Sequence, residues 1–289
     1  AGIPFVMDLR DPWSLVERLA DGFASPHWFW LARRFEPEAV ARASLVVMNT
    51  DPARRAMAGL YPGLADRIIT VMNGFDEDGH TRPQPQTSQF RMVFAGSVYL
   101  DRDPGLILRA VARLVAELKL EPRDFRIEFV GNVGSVDPDD PASIGWLARA
   151  EGVAGFVSVS GFRPRSELAT LLADATMLVS LYQDSRMAIP SKIFDYMQYD
   201  AWLLAFAEAG SATAEVLRGT DADVVDPQDR EALFQVLARR YAQFRAGQRP
   251  VRMASDPRLS RRGQATRLFE RLEELAALPR PTHAPHRGR

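Results

Sequence analysis

The 289-residue sequence contains no cysteine, which excludes disulfides, Cys-ligated zinc or iron–sulfur sites and thiol catalysis. Only four histidines occur (His27, His80, His283 and His286), and none has the spacing of a metal-binding motif. No apolar run approaches the roughly 18–20 residues that a membrane-spanning helix needs. The formal net charge is −1, so no overall field favours nucleic acid as a partner. The lack of cysteine fits a reducing compartment, and we expect a cytoplasmic protein.

The composition is that of a globular protein, with 46% hydrophobic and 25% charged residues. Strand and helix patterns alternate throughout, which predicts an α/β protein with parallel sheets. In the first 76 residues, strands are predicted at 3–9, 44–49 and 67–72, and helices at 12–21, 27–43 and 51–61, the last capped by Asp51. This is half of a doubly wound domain. Because a core-strand pattern begins almost at Ala1, we expect the N-terminal part of a larger protein to be missing.

A second alternating series follows residues 77–89, a polar, proline-bearing stretch that predicts a linker. Strands are predicted near 91–96, 125–131, 156–160, 176–181, 202–206 and 222–225, and helices near 104–119, 141–151, 165–174, 190–200, 211–218 and 228–246. Six strands make a complete doubly wound domain over residues 90–255. Residues 256–278 predict an amphipathic helix that crosses back to the first domain, and residues 279–289 a disordered tail.

The stretch Ile189–Tyr196, IPSKIFDY, follows a buried-strand pattern and is the most informative in the chain. Pro190 and Ser191 are good helix-start residues, with Ser191 as the expected N-cap. A helix N-terminus presents free N–H groups and a positive dipole end, which suits a phosphate. Lys192 adds a charge, and Asp195 could accept hydrogen bonds from a pair of sugar hydroxyls. An ordinary capped helix with a solvated Lys and Asp remains the alternative.

Three further loops follow predicted strands, at the sheet edge where doubly wound proteins bind ligands. After residues 91–96, Gly96 allows close backbone approach, and Arg102 could fork onto a diphosphate. The loop at 129–135 has two glycines but lacks the full G-x-G-x-x-G, so a simple glycine turn is favoured over a dinucleotide site. The third loop, Gly161-Phe162-Arg163-Pro164, leads into a helix. A plain turn or a surface arginine is the alternative for each functional interpretation.

The order Pro190-Ser191-Lys192, hydrophobic, aromatic, acid, Tyr196 resembles a signature of GT-B glycosyltransferases, specifically the retaining "group 1", family 4-like members. Other matching strings are Asp8-x-Arg10-Asp11-Pro-Trp, Asn73-Gly74-Phe-Asp and the Gly96 loop. The resemblance covers about residues 3–278. It implies a GT-B fold of two facing Rossmann-like domains, the N-terminal one incomplete here. The donor would lie in the cleft, mostly on the C-terminal domain.

The resemblance also implies roles for particular residues. The donor site would comprise Gly96, Ser97, Arg102, Phe162, Arg163, Pro190, Ser191, Lys192 and Asp195. Arg102, Lys192 and the helix N-terminus would hold the diphosphate, Asp195 the ribose, and the loop of Phe162 and Arg163 the nucleobase. Ser97 stands where the family carries a basic residue. Met187 stands where many members carry an acid, for which Asp184 is a substitute candidate.

The candidate catalytic residues on the N-terminal side are Asp8, Arg10 and Asp11, which would face the transferred sugar or the acceptor. The alternative is an Asp-Arg-Asp network that caps the next helix. The implied activity is transfer of a sugar from a nucleoside-diphosphate sugar to a hydroxyl of a carbohydrate or lipid-linked acceptor, in cell-envelope polysaccharide or glycolipid synthesis. It would use no metal and no cofactor. Retention of anomeric configuration is implied by the family alone.

Two other functions remain open: a sugar-nucleotide epimerase of the same fold, and a non-catalytic nucleotide-sugar-binding partner subunit. The truncated chain could also be inactive although its parent is an enzyme. Arginines cluster over residues 239–262. They predict either a solvated helix face or a contact with an anionic membrane surface or lipid phosphate. In the second case the protein would lie peripherally at the inner face of the membrane.

Overall fold

The structure is a computed structural model that describes residues 4–10, 13–15, 25–77, 87–98, 102–181 and 185–277. It divides into a first unit, Ala1–Gly74 with Pro257–Arg289, and a second unit, Phe75–Asp256. In chain order, the described helices α1–α9 span Pro26–Arg42, Asp51–Leu60, Gly105–Leu118, Ile144–Ala150, Arg165–Ala173, Ser191–Tyr196, Ala212–Leu217, Arg230–Arg245 and Arg261–Ala277. Among these helices, none combines the length and hydrophobicity that crossing a lipid bilayer requires.

The sheet of the first unit consists, in its described part, of parallel strands β1 (Val6–Leu9), β2 (Leu45–Met48) and β3 (Ile68–Thr70), paired in that order. The middle strand reads Leu-Val-Val-Met and is buried at every position. Such a continuous apolar run is typical of a parallel strand covered on both faces. Most of the predicted helix at 12–21 lies outside the described residues, and residues 13–15 form a 3₁₀ turn.

Helix α2 begins one residue earlier than predicted. The Thr50 hydroxyl caps it by accepting a hydrogen bond from the Ala53 N–H at 3.2 Å. The prediction that Asp51 is the cap is therefore wrong. Asp51 is the first helical residue, and its carboxylate accepts a hydrogen bond from the Thr70 hydroxyl at 2.6 Å, which ties α2 to the end of β3.

Helix α9 belongs to the first unit, where Leu268 and Leu275 pack against the buried core of β2. Its N-terminus lies against the Asn73-Gly74 turn. A Cβ atom on the buried Gly74 would come within 2.5 Å of the Arg261 nitrogen, so only glycine fits there. The Arg261 guanidinium also donates to the Gly74 carbonyl at 3.0 Å.

The sheet of the second unit contains β4 (Phe90–Ala95), β5 (Phe125–Val130), β6 (Val157–Ser160), β7 (Met177–Ser180), β8 (Trp202–Phe206) and β9 (Asp223–Val225). All pairings are parallel, in the order β6-β5-β4-β7-β8-β9. This is the doubly wound order of a Rossmann domain. The chain reverses direction across the sheet between β4 and β7, so the carboxyl end of β4 lies at the point where such folds bind ligands.

Aromatic rings fill much of the core beneath this sheet. Phe90 stacks on Phe125 with ring centroids 5.7 Å apart, and the ring of Phe244 from α8 meets Phe90 edge-on at 5.4 Å. Helix α3 contributes buried side chains that lie along one face of the helix, namely Ile107, Leu108, Val111 and Leu114. The core therefore anchors β4 and the start of α3, which flank the Gly96 loop.

Several arginines of the 239–262 cluster are bound within the second unit. Arg240 is only 6% exposed, and its guanidinium binds Asp223 at 2.7 Å and Asp221 at 3.0 Å. Arg239 binds the same Asp223 carboxylate, and Arg252 pairs with Asp200 at 3.6 Å. The prediction of a solvated basic face is wrong for Arg240, because this buried residue neutralises the buried Asp223 carboxylate.

Candidate functional site

The predicted donor residues of the second unit follow the carboxyl ends of three strands. Gly96 and Ser97 follow β4, Phe162 and Arg163 follow β6, and residues 190–195 follow β7. Because β4 and β7 are neighbours at the reversal point of the sheet, the Gly96 loop and the start of α6 come together there.

The turn after β4 requires glycine for two reasons. Gly96 has φ of +143°, a conformation that side chains disfavour, and a Cβ atom there would overlap the Lys192 ammonium. Gly131, at the end of β5, has φ of +123°, and its Cβ atom would come within 2.5 Å of the Gly96 carbonyl oxygen. These glycines let two strand ends and one lysine approach closely, and the glycine turn predicted at 129–135 serves this purpose.

Lys192 and Tyr196 fasten α6 to the end of β4. The Lys192 ammonium donates to the Ala95 carbonyl at 2.9 Å, and the Tyr196 hydroxyl donates to the same oxygen at 3.1 Å. The Tyr196 oxygen also accepts from the Ala95 N–H at 3.0 Å. The two side chains are four residues apart, so they extend from one face of α6 onto the same peptide group. Tyr196 was quoted in the sequence signature without a role, and this clamp supplies one.

The environment of Lys192 disfavours its charge. Burial, followed by repulsion from the Arg102 guanidinium, lowers the pKa of Lys192 from 10.5 to about 7. The ammonium lies 4.1 Å from the centroid of the Phe94 ring, a cation–π contact that favours the charged form and opposes these two effects. A lysine with a lowered pKa at a ligand-binding edge is a functional-site candidate, because an arriving anion would restore its charge.

Arg102 closes the loop that follows β4. One guanidinium nitrogen donates to the Ser97 carbonyl at 2.8 Å, which holds the two ends of the segment together. The residues between Ser97 and Arg102 include 99–101, which lie outside the described part. A second, forked contact from Arg102 to a diphosphate remains a prediction.

Helix α6 begins differently from the prediction. Pro190 occupies the N-cap position without a side-chain cap, and Ser191 is the exposed first helical residue. The predicted serine N-cap is therefore wrong. The helix has only six residues and ends at Tyr196, so its dipole offers a phosphate less than a longer helix would. The Lys192 side chain is therefore a stronger candidate for contact with a phosphate than the helix N-terminus.

Asp195 is partly buried one turn after Ser191. Burial is the main cause of the raised pKa of Tyr199, and the neighbouring Asp195 carboxylate raises it further. Burial is likewise the main cause of the raised pKa of Tyr196, and the Asp195 carboxylate adds to it. At the end of β6, the Phe162 ring is 90% exposed, and Arg163 donates to the Ser160 hydroxyl at 3.3 Å. The geometry thus leaves the Phe162 ring face open to a planar partner.

Sequence reasoning missed Arg186 and Glu208. Arg186 pairs with Glu208 at 3.5 Å and donates to the Ala209 carbonyl at 3.1 Å, so it joins the loops after β7 and β8. Both residues, together with Pro190, line a pocket at this edge of the sheet. Their position directly after two adjacent predicted strands was the sequence feature that could have identified them. Asp184, the substitute acid, lies outside the described residues.

The predicted catalytic residues belong to the first unit. Arg10 binds Asp8 at 3.1 Å and reaches the Asn73 side chain at 3.4 Å, so it links the end of β1 to the Asn73-Gly74 turn. Asp8 and Arg10 remain about half exposed. Asp11 lies outside the described residues. Within the described part, no group of three or more His, Cys, Asp or Glu residues is arranged to hold a metal ion.

Comparisons with known proteins agree on the fold. No protein-family model matches the chain. A D-inositol 3-phosphate glycosyltransferase from Nocardioides sp. (strain ATCC BAA-499 / JS614) is 28% identical over 211 residues, which is 67% of this chain and 45% of that protein. The D-inositol 3-phosphate glycosyltransferase 1 of Catenulispora acidiphila is 29% identical over 154 residues, 50% of this chain and 37% of that protein.

Solved structures extend the likeness over nearly the whole chain. Anabaena Alr3699/HepE, in complex with UDP and glucose, superposes with a TM-score of 0.65 at 17% identity, covering 94% of this chain and 72% of that chain. WaaG, a glycosyltransferase involved in lipopolysaccharide biosynthesis, gives 0.59 at 18% identity, with 88% and 69% covered. The chain has the GT-B fold. The predicted α/β fold class and the predicted resemblance to GT-B glycosyltransferases are confirmed.

The matched segments span less than half the length of the curated GT-B relatives. The described part of the chain provides one six-stranded Rossmann unit and a three-stranded parallel unit completed by α9. In this GT-B chain, the candidate donor residues all lie in the second unit, whereas Asp8 and Arg10 lie in the first.

Proposed function

We propose that this chain binds a nucleoside-diphosphate sugar through its second unit and transfers the sugar to an acceptor hydroxyl in polysaccharide or glycolipid synthesis. The observation that carries the proposal is the pair of cationic side chains, Lys192 and Arg102, beside the Gly96 turn. They lie at the carboxyl end of β4, next to the reversal point of the sheet. Two adjacent cations in a partly enclosed site repel each other, and an anion that binds between them offsets this repulsion.

A diphosphate suits this pair chemically. As the bond to the sugar breaks, negative charge develops on the departing diphosphate, and a fixed ammonium and guanidinium stabilise it without a metal or other cofactor. Asp195 would accept hydrogen bonds from the ribose hydroxyls. The exposed Phe162 ring and the neighbouring Arg163 would contact the base. Support comes from structural neighbours, since Alr3699/HepE was solved with UDP and with UDP-glucose.

On the first unit, we propose that Asp8 and Arg10 act on the side of the transferred sugar or acceptor. Arg10 is held by Asp8 and Asn73, so its position is fixed while much of its surface stays exposed. The acceptor would be a carbohydrate or a lipid-linked hydroxyl, and the protein would work in the cytoplasm or peripherally at the inner face of the membrane.

Calorimetric titration with UDP-glucose, GDP-mannose and ADP-glucose tests the donor site. We expect one of them to bind, with Lys192→Met and Asp195→Asn each weakening it by about 1–3 kcal/mol, as loss of a charge-assisted contact predicts. Lys119→Met is the matched control, because Lys119 is exposed at the end of α3. If no donor binds to the folded chain, or if the control loses as much affinity, the assignment of the donor site fails.

Product analysis separates the three functions. A transferase releases nucleoside diphosphate only when an acceptor is supplied, and an epimerase changes the sugar without an acceptor. A binding subunit holds the donor without turnover. Retained donor affinity with no nucleotide release, in the presence of a broad set of glycan and lipid acceptors, would leave binding as the function of this chain.

A further inference from the structure

Asn73 is chemically the least protected asparagine of the chain. The sequence contains three asparagines, and Asn73 is the one that precedes a glycine, Gly74. The main-chain nitrogen of the following residue attacks an asparagine side chain most readily where no side chain hinders its approach, as in glycine. Asn49 and Asn132 both precede β-branched residues, which hinder that approach. The Asn73-Gly74 turn therefore combines a side-chain amide with an unhindered neighbouring nitrogen.

The Asn73 side chain is exposed and lies against a fixed cation. Its amide oxygen accepts a hydrogen bond from the Arg10 guanidinium at 3.4 Å. The same guanidinium donates to Asp8 at 3.1 Å, which holds it in place. Attack on the Asn73 amide places negative charge on the oxygen that faces Arg10. A guanidinium that is already positioned at this oxygen stabilises the charge as it develops.

Gly74 is held at its α-carbon and its carbonyl group. The α-carbon packs against the start of α9, and the carbonyl accepts a hydrogen bond from Arg261 at 3.0 Å. Among the residues that the structure describes, none accepts a hydrogen bond from the Gly74 N–H. The nitrogen is therefore available as a nucleophile next to the Asn73 side chain.

We propose that Asn73 deamidates spontaneously in the folded chain, and that the carboxylate formed at this position binds Arg10. The Gly74 nitrogen loses its proton to base and bonds to the carbonyl carbon of the Asn73 side chain. The bond from that carbon to the side-chain nitrogen then breaks, and ammonia leaves. Water opens the resulting cyclic imide at either carbonyl, which gives aspartate or isoaspartate. The net reaction consumes water and releases ammonia, without oxidation or reduction.

The aspartate product changes the charge at the end of β1. Asp8 and Arg10 form a neutral pair that is about half exposed. A carboxylate at position 73 adds a negative charge, and it replaces a neutral acceptor of Arg10 by a charge-assisted one that binds roughly twice as strongly. The three side chains together are then negative, so they repel an anion that the neutral pair admits. Deamidation thus acts as an irreversible charge switch at the exposed end of β1.

The isoaspartate product should disturb the packing of α9. Isoaspartate has an extra main-chain carbon between position 73 and Gly74. A Cβ atom on Gly74 would already come within 2.5 Å of the Arg261 nitrogen, so a displaced glycine overlaps the backbone of α9. The hydrogen bond from Arg261 to the Gly74 carbonyl should be lost as well. The two products therefore have different effects on the first unit.

Mass spectrometry of the intact chain, incubated at pH 8 and then digested, provides the test. We expect the peptide with Asn73 to gain the mass that separates an acid from its amide, while the peptides with Asn49 and Asn132 stay unchanged. Arg10→Gln should slow this gain about fivefold, as expected for the loss of one hydrogen bond. Arg42→Gln is the matched control, because it removes an exposed arginine that pairs with Glu38 instead.

Two further measurements separate the effect of the fold from that of the sequence. In guanidinium chloride, Arg10 is no longer held at Asn73, so the unaltered chain and Arg10→Gln should deamidate at the same rate. In the folded chain, Asn73→Asp should raise the urea midpoint of unfolding, and the rise should vanish in the Arg10→Gln background. Hydrogen exchange within residues 257–264 should be faster in the isoaspartate fraction and unchanged in Asn73→Asp.

Three results would overturn the proposal. The folded chain could keep Asn73 intact while the denatured chain converts it, which would mean that the packing of Gly74 protects the amide. Arg10→Gln could deamidate as fast as the unaltered chain when both are folded, or Asn73→Asp could leave the unfolding midpoint unchanged. Neither a nucleotide nor an acceptor takes part in the reaction. The inference therefore stands apart from the proposed function, and failure of either leaves the other intact.

Discussion

Lys192 should make donor binding depend on pH and should take up a proton when the donor binds. Its pKa in the free protein is lowered to about 7, first by burial and then by Arg102. A diphosphate places negative charge beside the ammonium and therefore raises that pKa in the complex. Above pH 7, the complex then holds more protons than the free protein, and the affinity falls as the pH rises.

The expected size follows from this pKa. At pH 8, a group with a pKa of 7 is about one-tenth protonated, so a complex with a pKa above about 9 takes up roughly 0.9 proton. The donor affinity should fall about tenfold for each pH unit above 7 until the pKa of the complex is reached. UDP-glucose is the suitable ligand if it binds, because UDP has a terminal phosphate that itself titrates near pH 6.

Titration calorimetry at pH 8 in buffers of different ionisation enthalpy measures the proton uptake directly. Lys192→Met should abolish the uptake and flatten the pH profile between 6 and 9. Arg102→Gln should raise the pKa of Lys192 in the free protein and so shift the fall in affinity to higher pH. An uptake below about 0.2 proton, or an equal uptake by Lys192→Met, would refute the reasoning.

The sequence allows an independent check, because Lys119 and Lys192 are its only lysines. Reductive ¹³C-methylation should give two lysine signals, and Lys119→Arg assigns them. The Lys192 signal should titrate near pH 7. A lowered pKa in the folded chain means that the unfolded chain binds more protons between pH 7 and 10.5, so stability should rise with pH across that window. The full shift corresponds to roughly 5 kcal/mol, and solvent access to this partly buried ammonium lowers the share expressed in stability.

Three substitutions should lower the free energy of unfolding measured by urea denaturation. Gly74→Ala should cost about 2–3 kcal/mol, because the added Cβ atom overlaps the start of α9. The control Gly59→Ala, in open space within α2, should instead stabilise the chain by about 0.5–1 kcal/mol. Equal effects of the two substitutions would contradict this packing. Tyr196→Phe should cost about 1–3 kcal/mol by leaving buried main-chain groups of β4 with one fewer partner, and an unchanged midpoint would contradict the clamp. Asp223→Asn should cost about 3–5 kcal/mol because Arg240 loses its buried counter-charge, and a loss below 1 kcal/mol would mean that solvent reaches this pair.

The sheets could be predicted from sequence because parallel strands, covered on both faces, read as continuous apolar runs. The strand Trp202–Phe206 is buried at every residue, as is Met177–Ser180. Helix ends were harder to predict, because one hydrogen bond decides them. Thr50 and Asp51 are both good caps, and only the structure distinguishes which oxygen meets the Ala53 N–H.

The side of α1 that faces solvent could not be predicted in the same way. The run Trp28-Phe29-Trp30-Leu31 has the composition of a core segment, and helical spacing alone does not say which of these rings meets solvent. Burial of Ala32, Glu36 and Val40 on the other side of the helix decides it. A buried glutamate is the least expected member of that stripe, and its partners Ser14 and Tyr61 are distant in sequence.

The candidate site was partly predictable because ligands of doubly wound sheets lie beyond the carboxyl ends of strands. That rule identified Gly96 and Lys192 as candidates from sequence. It could not identify the contact of Lys192 with the Ala95 carbonyl, because the two residues are 97 positions apart in the chain. The rule applied equally to Arg186 and Glu208, but neither belongs to a recognisable string, so both were missed.

The Pro-Ser-Lys signature combines a structural clamp with a chemical group, and the two roles predict opposite effects on stability. Tyr196 belongs to the clamp alone, so its loss should destabilise the chain and weaken the donor only through the displaced Gly96 turn. Lys192 carries a charge whose burial is unfavourable without an anion. Lys192→Met should therefore keep or raise the free energy of unfolding at pH 6 while it lowers donor affinity. If Lys192→Met instead destabilises the chain as much as Tyr196→Phe and leaves donor affinity unchanged, the lysine is a structural clamp. The resemblance at this motif would then reflect the geometry of the turn and not the chemistry of the site.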